Sequence, residues 1–446
     1  MTDGIRVASL AAATLIAMSS SAITQQPPTA PSPPPQGVYN IPSGFDFPAD
    51  NTALEQTRAA GDTKSQRTHV WNVFAGMTQP VPGKNYPIFE SWYAEEEAFQ
   101  QGPIPQGKGP HRFLRQFRPP RQFGGMPGRP LPQAAGTAIL SEVLFDYPNY
   151  WHIRNEKLYL PATLEAIQQA GAPPDPHIAG DTTVPPGPRE AISLKTVWWP
   201  IDPHKVTPLP VWDPDVDGKD PTGEYEYTTW KRVVAVDPTH TSISPTAMSS
   251  VTFRGKKYPN AHLVSLKDKF YYVVVDALTA KNAMANSRLK SFVNDAIGRD
   301  LKEGDYVALT GTHMTTREID DWVWATFWWH DRPNDGLYAA DRTANVTGVW
   351  RNYLMNVSFD ENLPKEKDGT PHIAFNPWLE AHFPSGVVSN CMNCHHRASF
   401  DPSAANPVPD FLPIHRGSPD VANDPAYAKK MVRTDFLWSI PFNDSP

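Results

Sequence analysis

Cysteine is almost absent from this chain: two occur among 446 residues, Cys391 and Cys394, three positions apart. A scaffold stapled by disulfides needs more of them, spread along the sequence, so that class is excluded. Positive charge is short as well, with 40 Lys and Arg against 47 Asp and Glu, for a formal charge of −7. Nucleic-acid and anionic-membrane surfaces recruit a net basic domain, so the balance argues against both partners. No stretch approaches the roughly 18 consecutive apolar residues of a membrane span, which predicts no transmembrane segment in the mature protein. G-x-S-x-G, H-E-x-x-H, Walker A and dinucleotide-binding glycine patterns are missing, so hydrolase and nucleotide chemistries have no anchor. No internal repeat of roughly 20 to 50 residues is visible.

What is present is the balance of a folded globular protein, 40% hydrophobic and 20% charged. Proline is in excess: its 49 residues are about twice the usual share of about 5%, which disfavours long helices and predicts many extended loops. The first 22 residues read as a secretory leader. Arg6 opens it, Val7 to Met18 form its apolar stretch, and Ser20 and Ala22 supply the small residues for cleavage after Ala22. Gln25 to Pro35 then continue as a polar, proline-rich tether, and no cysteine near the cleavage point offers a lipid anchor. A soluble, periplasmic protein is expected.

Helices are predicted at Thr137 to Phe145, at Pro161 to Ala170 with Gly171 as stop, and at Asn286 to Ile297 before Gly298, with a turn or two over Trp92 to Gln100. Strands are predicted at Ala191–Trp199, Tyr225–Val236, Val251–Phe253, His262–Leu266, Tyr271–Val275, Tyr306–Thr312 and Trp322–Trp329. Arg254-Gly255-Lys256 and Lys267-Asp268-Lys269 are turn candidates. The fold class expected is α+β, a β-rich body with appended helices and long Pro-rich loops. Within residues 101 to 135, Arg112, Arg115, Arg118, Arg121 and Arg129 alternate with Phe113, Phe117 and Phe123. Basic and aromatic residues so interleaved can bind single-stranded nucleic acid. The simpler reading is an arm whose Phe side chains enter the core while the Arg side chains stay wet.

Both cysteines fall in Ser389-Asn390-Cys391-Met392-Asn393-Cys394-His395-His396, which contains C-x-x-C-H. Two thiols one helical turn apart can add across the two vinyl groups of a haem, and the next residue places an imidazole beneath the iron. One covalent haem c is therefore the expected cofactor, attached through Cys391 and Cys394 with His395 as axial iron ligand. Three other readings use the same residues. They are a thioredoxin-like redox pair, which normally follows a strand of a small βαβ unit, a zinc site completed by histidines, and a short structural disulfide that closes little chain entropy.

The C-x-x-C-H resembles that of c-type cytochromes in the broad sense. Together with Trp322-Val323-Trp324-Ala325-Thr326-Phe327, Asn376-Pro377-Trp378-Leu379-Glu380 and Thr434-Asp435-Phe436-Leu437-Trp438-Ser439, it makes the chain similar to exported bacterial proteins labelled only as cytochrome c family proteins. The resemblance implies haem attachment and no particular substrate. Small soluble cytochromes c place this motif near the start of a helical domain, whereas only residues 396–446 follow it here. The organisation expected is therefore a leader 1–22, a tether 23–48, one large β-rich body 49–380 and a haem-attachment segment 381–446 packed on it. It is not a compact all-helical cytochrome domain.

The sixth iron ligand would decide the function. Candidates are Met431, placed on a predicted C-terminal helix with Asn423 or Asp424 as N-cap and Pro425 in its first turn, and His330 at the end of the strand Trp322–Trp329. His313, His372, His382 and His415 follow, and His396 is read as a neighbour facing away from His395. Each histidine alone is more often structural, and a Met on an apolar face usually fills space. The tryptophan stripe of 322 to 329 is sheet core or a haem wall. Asp320, Asp321 and Asp331 flank it as turn residues or an acid/base pair, and Arg residues of the arm could meet haem propionates. The leading expectation is single-electron transfer with an unidentified periplasmic redox partner, after assembly by cytochrome c maturation machinery. The alternatives are a peroxidase- or oxygenase-type haem enzyme and a haem-based sensor.

Overall fold

The computed structural model describes residues 29–30, 33–102, 115, 117–119, 138–218, 226–380, 387–404, 416–418, 421, 423–424, 427 and 430–442. The expected leader, Arg112, Phe113, Arg121, Phe123, Arg129, Thr137, Tyr225, His382, His415 and Pro425 lie outside these residues. In chain order the strands are β1 (Tyr93–Ala94), β2 (Leu140–Phe145), β3 (Thr182–Thr183), β4 (Ile192–Ile201), β5 (Thr207–Val211), β6 (Arg232–Asp237) and β7 (Met248–Phe253). They continue as β8 (Lys256–Ser265), β9 (Tyr272–Val274), β10 (Tyr306–Thr316), β11 (Val323–Trp329), β12 (Tyr353–Ser358), β13 (Ser399–Phe400) and β14 (Val432–Arg433).

Seven strands make the main sheet in the order β1-β2-β4-β10-β11-β12, with β9 on the half of β10 that β11 leaves free. Every pairing in it is antiparallel. β10 and β11 are almost wholly buried, the pattern of strands covered on both faces. On one face Phe327 meets Trp71 at 5.3 Å and Phe74 at 4.1 Å, both on the helix Thr63–Met77. The register sets two adjacent rows on the other face. Val143, Lys195, His313, Thr326 and Asn356 form one, and Phe145, Ser193, Thr315, Trp324 and Ser358 the next.

That second face is covered in stages. At one end Trp199 packs on Phe292 at 5.1 Å; Phe292 sits on the helix Ser287–Ile297, capped by Asn286 and stopped by Gly298. A four-stranded sheet, β5-β6-β8-β7, lies beside it. In the middle, Gly311 lets Asn376 approach so closely that a Cβ there would stand 3.0 Å from its Oδ1. At the other end lies the segment around residue 395, and a small sheet, β13-β14-β3, joins it to the body through a parallel β3–β14 pair. Among the described residues no helix is long and apolar enough to cross a membrane.

The α+β class and most predicted elements are present, including Pro161–Ala170 ending at a left-handed Gly171 and the Arg254-Gly255 turn between β7 and β8. Four expectations are corrected. Leu140–Phe145 is a strand rather than a helix, because all six residues pair with β4 and tertiary pairing overrides propensity. Met431 leads into β14 instead of lying on a helix, and Asp424 accepts from the buried Arg397. The strand expected from Tyr225 begins only at Arg232, after a turn at Tyr227–Thr229. Lys267–Lys269 belong to one helical turn, Leu266–Lys269.

Candidate functional site

The helix Cys391–His396 is short, so its ends are anchored by other parts of the chain. Asn390 caps it by accepting from the Asn393 N–H at 3.1 Å. The same side chain donates to the carbonyls of Asp360 and Glu361 at 3.0 Å each, rooting the helix in the loop after β12. Cys391 and Cys394 are three residues apart on this helix, and neither is in a disulfide. Burial, with the nearby charge of Glu380, pushes the Cys391 thiol well above its ordinary range. A thiol-disulfide centre works through a low-pKa thiolate, so this environment disfavours the redox-pair reading. Among the described residues no group of three or more His, Cys, Asp or Glu could hold a metal ion, which leaves the zinc reading without support.

His395 donates from Nδ1 to the Phe436 carbonyl at 2.8 Å. A carbonyl can only accept, so the proton is on Nδ1 and Nε2 keeps its lone pair. Burial, helped by the neighbouring His313 and Lys195, drives its pKa down to about 3, and the ring is neutral at physiological pH. Its ring lies 4.2 Å from that of Trp324. A neutral imidazole with its second nitrogen tied to a carbonyl is the form a metal-ligating histidine takes. Two thiols on one helical turn, neither in a disulfide, followed by this imidazole fit a thioether-linked haem.

The strand pair opposite supplies polar groups that sequence reasoning overlooked or left unranked. His313 Nε2 is paired with Glu380, and the other oxygen of Glu380 accepts from the Asn376 N–H. Asn376 in turn donates to Thr326 Oγ1 at 2.7 Å and the Phe327 carbonyl at 2.9 Å, and accepts from the Trp378 N–H at 2.9 Å. The Asn376–Glu380 segment is thus a bracket that locks onto β11 and presents a carboxylate to β10. Lys195 is the cross-strand neighbour of His313; burial, against the charges of Glu380, Glu95 and Cys394, lowers it to about 8. Cys391, Cys394, His395, Lys195, His313 and Glu380 are all only half-buried, while Cys391, His395 and Lys195 are also strongly desolvated. Side chains that are both line a recess rather than the outer surface.

The other candidates lie elsewhere. His330 is six residues along the chain from Trp324, about 20 Å at roughly 3.3 Å per strand residue, and its Nδ1 accepts from the Arg332 N–H at 2.9 Å. It is not brought to His395. Met431 lines a surface pocket with Gln168, Asp181, Asp401 and Lys430, its sulfur 3.4 Å from Ser399 Oγ. Its neighbour Val432 joins the cluster of Trp324 and Met392, and alternation along a strand turns Met431 the other way. His372 is held by Asn356 and Glu366, and His396 pairs with Glu361.

The carboxylates flanking β11 are ion-pair members. Burial would raise Asp321 and Asp331, yet hydrogen bonds and charges hold both at about 2. Asp321 meets His177 and Arg58; Asp331 meets His262 and Arg232. Asp320 takes Arg189 and Arg317. Arg115 bridges Glu90 and Glu142 and lies 4.3 Å over Trp198, on the sheet face away from His395, and Phe117 is buried beside that Trp. No protein-family model matches the chain, and no curated protein or solved structure matches it either.

Proposed function

We propose that the chain is an exported monohaem c-type cytochrome that passes single electrons. Haem c, joined to Cys391 and Cys394 by thioethers, would supply the one-electron redox centre. His395 would be its axial ligand through Nε2, oriented by the Phe436 carbonyl. Trp324 and Phe436 exclude water from that side, both being buried, and a dry wall disfavours the more highly charged oxidised state. The single observation that carries the reading is the placing of two thiols outside any disulfide, at 391 and 394, next to a histidine whose outer nitrogen is left unprotonated.

The test is production of the full chain with its leader alongside a working cytochrome maturation system. The expected product starts after Ala22 and keeps a red chromophore when denatured, at a mass equal to polypeptide plus haem. A bare polypeptide would overturn the reading. A second reading, ligand activation at the iron, is favoured by one observation: His313, Glu380 and Lys195 share the recess with His395. An iron that binds carbon monoxide, with a response altered by His313→Gln, would favour it. A six-coordinate iron indifferent to carbon monoxide supports electron transfer.

A further inference from the structure

The segment Thr434-Asp435-Phe436-Leu437-Trp438 wraps the motif helix with every second residue. The Thr434 N–H donates to the Ala398 carbonyl at 3.1 Å. The Phe436 carbonyl accepts from His395 Nδ1, and Trp438 Nε1 donates to the Cys394 carbonyl at 3.2 Å. Between these contacts the chain turns sharply, closed by the Leu437 N–H on the Thr434 carbonyl at 2.9 Å. The two central residues are both left-handed, Asp435 at φ 46 and Phe436 at φ 64. Tight turns of this shape normally use Asn and Gly, and a bulky aromatic side chain at positive φ is a true outlier.

Something must hold it. Asp435 points away from the helix into the body, where its Oδ2 accepts from the Gly187 N–H at 3.0 Å and from Arg317 Nε at 3.1 Å. Arg317 is almost fully buried, and its own N–H is fixed to the Ala191 carbonyl at 2.9 Å. Over-determined strain of this kind gathers where a group must be aimed.

We propose that Asp435, buckled to Arg317 and the Gly187 N–H, is a positioning residue that sets the Phe436 carbonyl on His395 Nδ1 and so fixes both the tautomer and the basicity of the iron ligand. The inference depends on the haem reading above. A histidine that donates its second N–H to a carbonyl is a more basic ligand, and a more basic ligand favours the oxidised iron. Releasing the buckle therefore raises the midpoint potential.

The experiment compares redox titrations and ferric low-spin spectra of the wild-type holoprotein with Asp435→Ala, Asp435→Asn and Arg317→Gln. Asparagine tolerates the left-handed region and keeps an acceptor for Gly187, so Asp435→Asn should stay near wild type. Asp435→Ala and Arg317→Gln should shift the potential upward and alter the axial-ligand signature. A merely structural turn would lower thermal stability and leave the potential in place. If Asp435→Ala does not fold, Arg317→Gln carries the test. Haem-bearing variants with wild-type potentials overturn the positioning role alone, whereas a wild-type protein without thioether-bound haem overturns the functional reading and this inference together.

Discussion

One face of the main sheet is packed by different means at its two ends. At the Trp199 end the covering groups are rings: Phe292 at 5.1 Å, Trp378 at 5.4 Å and Tyr227 at 5.6 Å, all fully or almost fully buried. At the Trp324 end the sheet presents Lys195 and His313 in one row and meets a histidine, two thiols and a carboxylate, all half-buried. The boundary between them is Asn376, seated on Gly311 with both its amide atoms satisfied. A buried polar group without partners costs on the order of 1–3 kcal/mol, so charged rows persist in a sheet interior only where something holds them. The difference teaches that stability and chemistry are separated along a single strand, β10, by the five positions from Ala308, which pairs with Trp199, to His313.

That contrast can be tested by damage to either end, taken from the largest expected effect to the smallest. On the haem reading proposed above, replacing Cys391 and Cys394 together by serine should abolish the chromophore entirely while circular dichroism keeps the native secondary structure. Collapse of the fold would mean that the two ends are not separable. Trp199→Ala should lower unfolding free energy by about 3–5 kcal/mol through the cavity it leaves, and the midpoint potential should not move. A potential that tracks the stability loss would contradict the division. Asn376→Ala strikes the boundary, and denaturant melts should show a loss of about 1–3 kcal/mol from unsatisfied partners. Because the Asn376–Glu380 segment also loses its side-chain anchor on β11, carbon monoxide or spectral differences at the site should accompany this loss if the haem reading holds.

The smallest effect is in the pH dependence of the haem-free double serine variant. Lys195 titrates at about 8 in the folded chain against 10.5 ordinarily. Between those values the unfolded chain holds a proton that the folded chain has released, so the Lys195 contribution makes stability rise with pH across that window. Lys195→Met should remove this rise, as read from melting temperatures at pH 7.5 to 10.5. An identical slope in both proteins would place the lysine in water rather than in the recess.

Much of this architecture can be read locally and the rest cannot. Pro161–Ala170 carries its own start in Pro161 and stop in Gly171, Ser287–Ile297 its cap in Asn286 and stop in Gly298, and the β-branched and aromatic runs of β4, β10 and β11 declare themselves. Leu140–Phe145 and Met431 do not, because each is extended only by virtue of a partner strand far away in sequence. The candidate site divides similarly. The thiol and imidazole spacing is legible within five residues, whereas Lys195, Glu380 and the Phe436 carbonyl come from distant elements that only the fold assembles. His330 and Met431 were plausible by residue type, and their distance or direction excludes them from the neighbourhood of His395. The Asp435 turn gave one signal in advance, an aspartate enclosed by Thr434, Phe436 and Trp438, but nothing in that pattern names Arg317 as its mate.

The parallel pairing of Thr182–Thr183 with Val432–Arg433 has a temporal meaning. A ribosome delivers the carboxyl-terminal side last, and the strand that carries the Asp435 turn can dock only against a segment made some two hundred and fifty residues earlier. The thiols at 391 and 394 and the imidazole beside them are set by local sequence, whereas the carbonyl that orients His395 comes into place only with this long-range closure, so the unfolded chain presents the motif with its histidine unlatched.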